Sequence, residues 1–371
     1  MSFQKKSISF GIVDVNPKFE EDFDEAIFNA SYSHVVPTKE NDQAVLDFTS
    51  GVSLIDRDKE SLELEDFKKG GLTYAAARKK ERKIDRTMLQ ELLEKLIDEE
   101  TKTTGCEVGR KRKKQLKEIA MDIASAPDNA RIVSTGRRFV VLPGRDRMIV
   151  ETTNYNKLID AADVISRISQ PLGNSIIPWN AEYLKTKYAL GGSNWTSLRL
   201  SKKSDVEEED IGKDFLTWLW IISDVKSVLA NSPLPIEVQV TGDISLSNSA
   251  TNVGARTIKL SKGTPALAKE GILGIVEGKK VQQASLSIAV DGRTFTATID
   301  SDLVIKGYKT LEKSENLDSS SAFEWKFMMC ADFIEGIEKL FKLFLERSSN
   351  GEIQNEVNTW LTEHIASKKT S

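Results

Sequence analysis

Residues 110 to 114, Arg-Lys-Arg-Lys-Lys, place five cations side by side in a chain whose formal net charge is -4. Guanidinium and ammonium groups at that density suit one kind of chemistry. They neutralise phosphates, release condensed counterions and so give affinity for a polyanion without reading its sequence. The imbalance extends beyond the run itself. From Lys68 to Arg147 there are 21 Lys and Arg against 12 Asp and Glu, a balance of +9, whereas the rest of the chain stands at -13. Such a chain can attract phosphate at one surface and repel it elsewhere. Taken alone, a charge run is as readily a solvated helix face.

Other chemistries find little support. Neither G-x-x-x-x-G-K-[ST] nor G-x-G-x-x-G occurs, so the phosphates of ATP or a nicotinamide dinucleotide meet no glycine-rich cradle. The two histidines, His34 and His364, lie near opposite ends and leave a Ser–His or Cys–His nucleophile pair few candidates. A metal nuclease needs several carboxylates converging on Mg²⁺. Only Glu-Glu-Glu-Asp at 207 to 210, which reads as a solvated loop, and Asp300 with Asp302, which reads as the polar face of a strand, invite that idea. Cys106 and Cys330 are too far apart in sequence to suggest a disulfide framework or a metal knuckle. No cofactor, no metal and no enzymatic activity are expected.

The basic run opens a helix. Leu116, Ile119, Ala120 and Ile123 recur at three- and four-residue spacings and predict one buried face, with Lys113, Lys114 and Lys117 projecting from it. Before it, Thr87 and Gln90 have the spacing of a capping box, and Met88, Leu89, Leu92, Leu93, Leu96 and Ile97 form a second amphipathic stripe. After it, "ARIVS", "RRFVVL" and "RMIVE" predict three short strands, the last two joined by the turn "PGRD". Arg131, Arg137, Arg138, Arg145 and Arg147 lie in or beside them and could merge with the helix into one patch.

Elsewhere the pattern mixes strands and helices. Ile8, Phe10 and Ile12 alternate as in a strand, and Phe19, Phe23, Ile27 and Phe28 predict a helix over 17–30. Leu158, Ala161, Ala162, Ile165 and Ile168 mark another helix, closed by Pro171 and Gly173. "KDFLTWLWIIS" is too apolar for a surface element and predicts a buried helix or a partner contact through Trp218 and Trp220. Strands are expected at "IEVQVTG", "ARTIKLS", "VQQASLSIAVDG" and "RTFTATIDSDLVIKG", the last two meeting at the hairpin signal Asp291-Gly292. A helix of roughly one and a half dozen residues is expected between Ile258 and Val281, and a long one over 321–348 carries Phe327, Cys330, Ile334, Ile337, Leu340, Phe341 and Phe344. An α+β fold follows, with one large core or two to three smaller ones. No run is apolar for the roughly 18 residues a membrane span requires, and the first residues lack a cleavable signal pattern, so a cytoplasmic protein with no membrane partner is expected.

The order of these segments resembles the recombination-associated RdgC family of bacteria. "GGLTYAAARKKERKIDRTMLQELLEKLIDEE", "GRKRKKQLKEIAMDIA", the Arg-rich strands, "LIDAADVISRISQPLGNSIIPW", "FLTWLW", "IKLSKG", "EGKKVQQASLSIAVDGRTFTATIDSDLVIKG" and "FEWKFMMCADFIEGIEKLFKLFLE" fall in similar order and spacing over about 70 to 345. The likeness implies a crescent-shaped subunit of mixed antiparallel sheets and helices, closing as a ring-shaped homodimer around double-stranded DNA. It implies association with the nucleoid and a modulating effect on recombination, by limiting access of the RecA recombinase. It divides the chain into a strand–helix part of a central domain (1–75), a basic finger with Arg-rich strands (76–150), an α+β remainder (151–347) and a C-terminal extension (348–371). A Lys-Gln pair associated with DNA contact in the family corresponds to Lys262 and Gly263 here, so only the lysine is matched. The family's finger-tip aromatic falls in "APDNARIV", which has none; Pro127 or Ile132 is the candidate to take its place.

The candidate DNA-binding set is therefore Arg110, Lys111, Lys113, Lys114 and Lys117 on the helix, Arg137 and Arg138 on the strands, and Lys259, Lys262, Lys279 and Lys280 in the second half. Lys279 and Lys280 follow Gly278 in an expected turn and could equally be solvent decoration. Trp218, Trp220 and the final helix are candidates for the dimer contact. The rival readings are a Mg²⁺-dependent DNA exonuclease and a protein-interaction scaffold whose basic helix docks on an acidic partner.

Overall fold

A computed structural model describes residues 3, 5–20, 23–31, 45–51, 63–83, 86–126, 131–188, 195–200, 209–224, 236–248, 256–263, 267–312 and 317–366. His34, Pro127 and the acidic run over 204–208 lie outside the described residues, as do the side chains of Arg131 and Ile132. The elements run β1 (Ile8–Asn16), α1 (Phe23–Ala30), β2 (Val45–Ser50), β3 (Lys68–Lys69), β4 (Leu72–Lys83), α2 (Arg86–Thr104), α3 (Arg110–Ala124), β5 (Arg131–Val141), β6 (Arg147–Glu151), α4 (Tyr155–Ser169) and β7 (Ser175–Pro178). They continue with α5 (Ala181–Tyr188), α6 (Ile211–Asp224), β8 (Ile236–Ser247), β9 (Thr257–Leu260), α7 (Lys269–Val276), β10 (Lys280–Val290), β11 (Arg293–Asp300), β12 (Ile305–Thr310), α8 (Ser319–Ser349) and α9 (Glu352–Ala366).

Alternating side chains build one large antiparallel sheet, in the order β2-β4-β5-β6-β1-β12-β11-β10-β8-β9, with β3 paired to β4 and β7 to β1. The fold is α+β. In β1, Ile8, Phe10 and Ile12 point into one core while Val13 and Val15 point into the other, so this central strand is buried on both faces. The first core spreads along one face of the sheet beneath α6 and α8, where Phe215, Phe341 and Phe344 pack edge to face. The second core covers the other face only over β2, β4, β5, β6 and β1, beneath α1 and α4. Asn154 caps α4 by accepting the amides of Asn156 at 2.9 Å and Lys157 at 3.4 Å, a contribution of about 1 kcal/mol. Close approach of α4 requires Gly11, because a Cβ there would stand 2.5 Å from Leu158.

β10 and β11 meet at Asp291 and Gly292, both with positive φ as a tight hairpin turn demands. The predicted strand "RTFTATIDSDLVIKG" is in fact two: Asp300 accepts the amide of Val304 at 2.9 Å, and that turn separates β11 from β12. "ARIVS" and "RRFVVL" merge in the opposite sense, into the single 11-residue β5, because β4 offers a continuous partner from Tyr74 to Lys83. The first helix begins only at Phe23, with Phe19 buried ahead of it, and α7 spans eight residues rather than one and a half dozen.

Trp218 and Trp220 are 0 % and 1 % exposed. Of the two alternatives, a buried helix or a partner contact, the structure shows the buried helix: α8 and α9 cover α6 within the chain. Ile353, Val357, Trp360 and Leu361 of α9 are buried, and Trp218 Nε1 donates to Glu356 at 3.1 Å. Their four-, three- and one-residue spacing is the signal that identifies α9. No helix among the described residues is long and apolar enough to cross a membrane.

Candidate nucleic-acid interface

The basic helix stands on a projecting arm. β4 and β5 pair from Tyr74–Val140 to Lys83–Arg131, whereas β2 pairs only with residues 75–80 of β4 and β6 only with 139–141 of β5. Among the described residues the ribbon therefore continues beyond its neighbours and carries α2 and α3 as an antiparallel pair, whose main packing partners are each other. Leu116, Ala120 and Ala124 of α3 are buried at a four-residue spacing, which is the seam against α2. Ile119 and Ile123, expected in that seam, are instead 42 % and 39 % exposed. A single partner helix covers a narrow stripe, and these two lie on its flank. Thr87 sits within α2 rather than ahead of it, since the helix begins at Arg86, so the expected capping box is not the helix start.

Arg112 closes the arm internally. Its Nε and Nη2 donate to Glu100 Oε1 at 2.8 Å and Oε2 at 3.1 Å, and its Nη1 donates to Gln115 at 3.1 Å. The fork holds the Glu100 carboxyl below its ordinary range, chiefly through the hydrogen bond. Arg110, Lys111, Lys113, Lys114 and Lys117 are exposed and have no carboxylate within 4.0 Å among the described residues. Their position is electrostatically unfavourable by itself. They crowd the first turns of α3, the positive end of the helix dipole, where the N-cap is Gly109, which has no side chain to accept the free amides. An anion at this end would meet both the cations and the unsatisfied amides.

The sheet treats its cations differently. Arg78 is 5 % exposed and forks onto Asp47, with Nε–Oδ1 at 2.7 Å and Nη2–Oδ2 at 2.8 Å; Lys80 joins the same carboxylate at 2.9 Å. Arg138 donates to the carbonyl of Gly51 at 2.8 Å and to Glu151 at 3.2 Å. Arg147 pairs with Glu338 at 2.9 Å, and Arg145 stands 3.6 Å from Asp24. The single Arg patch expected on these strands is thus reduced. Arg137 is half-buried, with one donor on the carbonyl of Gly136 at 3.2 Å and no carboxylate partner among the described residues.

Lys279 and Lys280 are corrected outright. Both are 4 % exposed: Lys280 begins β10, and Lys279, just after the turn at Gly278, is tied back to α7 by its amide, which donates to the Gly274 carbonyl at 2.9 Å. Lys280 Nζ lies 2.6 Å from Asp214 Oδ1 and 2.7 Å from Ser197 Oγ, inside the core, and Lys279 Nζ lies 3.5 Å from Glu277. Burial raises the Asp214 carboxyl to about 6 against the opposing pull of Lys280. A phosphate cannot reach either lysine without breaking that packing.

Lys259 and Lys262 are exposed and without a carboxylate partner among the described residues, Lys259 on edge strand β9 and Lys262 in the loop after it. Lys262 and Gly263 have φ of 67° and 68°. A glutamine at Gly263 would be strained in that left-handed conformation. Seven strand spacings separate β5 from β9, roughly 34 Å along the sheet. The candidate cations therefore collect at its two ends. Lys309, outside the sequence-based candidate set, is also exposed, two strands from β10 on β12; alternation in "VIKGYKT" is the signal for it.

Among the described residues the nearest approach to a carboxylate cluster is Asp302, which feels the charges of Asp300 and Asp210. Asp300 caps the turn before β12 and pairs with Lys306 at 2.8 Å; desolvation, then the charge of Asp300, raises the Asp302 carboxyl. Among the described residues no group of three or more His, Cys, Asp or Glu could hold a metal ion. The chain matches no protein-family model, and no curated protein matches it.

Proposed function

We propose that this protein binds double-stranded DNA without sequence preference and without catalysis, in the manner of the RdgC family that its segment order resembles. The observation that carries the reading is the unpaired basic start of α3: five exposed cations, an uncapped helix N-terminus and no carboxylate in reach among the described residues. Nonspecific phosphate neutralisation needs no base contact, only cations free to release counterions. Arg137, Lys259 and Lys262 supply further cations toward the same polymer; Arg138 is held in its ion pair.

The chain acts as a homodimer that encircles DNA at the nucleoid and limits access of RecA. The half-exposed apolar stripe of α2, with Ile119, Met121 and Ile123 of α3, supports self-association through the arm, because an isolated two-helix pair leaves that surface in water. The same apolar residues favour a second reading, in which the arm docks on an acidic protein partner.

Lys113→Glu/Lys114→Glu/Lys117→Glu tests the proposal. All three side chains are exposed and have no carboxylate partner among the described residues, so the fold is expected to survive. Retention of random-sequence duplex in a gel-shift titration is expected to disappear at moderate salt. An unchanged isotherm removes α3 from the site. Loss of labelled DNA only when Mg²⁺ is added would favour the exonuclease.

A further inference from the structure

Over β8 to β12 the sheet has a second face that the cores do not use. Ile288, Phe295, Ala297, Ile299 and Tyr308 point into the first core beneath α6 and α8. The alternate residues, Gln283, Ser285, Ser287, Thr294, Thr296 and Thr298, are half-exposed on the opposite side. Register lines them up in rows across the strands. Lys309 stands beside Thr296, Thr296 beside Ser287, and Ser287 beside Gln239; Asp300 stands beside Gln283, Gln283 beside Ser245, and Ser245 beside Lys259.

We infer that this hydroxyl-lined face is a second phosphate-binding surface for duplex DNA, working with the arm; the inference rests on the function proposed above. Three observations select this occupant. The face carries no aromatic or large aliphatic side chain among those rows, so it lacks the apolar centre of a protein interface. Hydroxyl and amide donors are the uncharged groups that bond phosphate oxygens. Charge is arranged to suit: Asp300 is already neutralised by Lys306, which also donates to Gln283 at 3.0 Å, while Lys309 on one flank and Lys259 and Lys262 on the other have no carboxylate partner among the described residues. Two carboxylates oppose it: Glu237, at the hairpin end of β8 beside Ala289, and exposed Asp243, in the irregular stretch of β8 opposite Ser285.

The probe is a random-sequence duplex titrated by gel shift against the unaltered chain, Thr296→Glu, Lys309→Ala and the triple arm variant. Thr296→Glu puts a carboxylate into the middle row and is expected to weaken binding about tenfold at low salt; Lys309→Ala is expected to lower the salt slope by about one. Far-ultraviolet circular dichroism of each variant checks that the sheet is intact, and Lys309→Ala, an exposed truncation, carries the test if Thr296→Glu unfolds. Loss of binding in the arm variant with unchanged isotherms for both sheet variants overturns this inference and leaves the function standing. Failure of the unaltered chain to retain duplex overturns both.

Discussion

Arg78 and Lys113 are both cations of the same basic segment, yet they live under opposite rules. On the sheet, Arg78, Lys80, Arg138, Arg147 and Lys280 each meet a carboxylate within 3.2 Å, and that partner is itself buried or half-buried. On the arm, Arg112 pairs with Glu100, but Arg110, Lys111, Lys113, Lys114 and Lys117 meet no carboxylate among the described residues and lie at the wrong end of a helix dipole. Desolvation explains the first group, since a cation beneath helices must be paired or lost. Nothing in the fold of the arm explains the second. The comparison teaches that positive charge is counted by what is left after pairing.

The largest expected effect belongs to the sheet. Asp214→Ala leaves Lys280 buried without its counter-charge and is expected to cost about 3–5 kcal/mol in denaturant unfolding at neutral pH. A pH series sharpens it. The carboxyl titrates near 6 in the folded chain and near 3.8 unfolded, so the native state binds the extra proton between those values. Its contribution to stability is therefore present at low pH and lost as pH rises through that window. Asp214→Asn is expected to remove that part of the slope.

The arm comes next, with the opposite signature. The triple Lys113, Lys114 and Lys117 reversal is expected to lower duplex affinity at least about a hundredfold, roughly 2.7 kcal/mol, with an unchanged denaturant midpoint. Arg138→Ala inverts this: about 1–2 kcal/mol of stability lost through Glu151 and the Gly51 carbonyl, with duplex affinity within about twofold of the parent. A variant of the sheet arginine that lost binding but kept its stability would break the comparison.

Smallest and most discriminating is Gly109→Asp. A carboxylate at this N-cap satisfies the free amides and faces the cations, so stability is expected to rise by a few tenths of a kcal/mol while duplex affinity falls severalfold. Both changes are read from one preparation, by unfolding and by gel shift. A gain in both would mean that α3 does not present its start to a polyanion.

Much of the scaffold was legible in the sequence because its signals are local. Alternation gave β1, β10 and β11, Asp291-Gly292 gave their turn, and the stripe from Leu158 to Ile168 gave α4. The candidate site was legible only in part. Exposure of Lys113, Lys114 and Lys117 follows from helical periodicity, but the burial of Lys280 depends on Asp214 and Ser197, far upstream, which only the packing of α6 on β10 brings near. Ile119 and Ile123 were assigned to a seam because periodicity reports an apolar face and not how many helices cover it. The rows on the free face of β8 to β12 need strand register, which one sequence does not carry.

The most direct test of the central claim is the slope of log binding constant against log salt, measured for random-sequence duplex between about 50 and 200 mM, for the unaltered chain and the triple arm variant. The account predicts a steep slope that becomes shallower by about three when Lys113, Lys114 and Lys117 are reversed. No retention of duplex at the lowest salt, or two parallel lines, would contradict it.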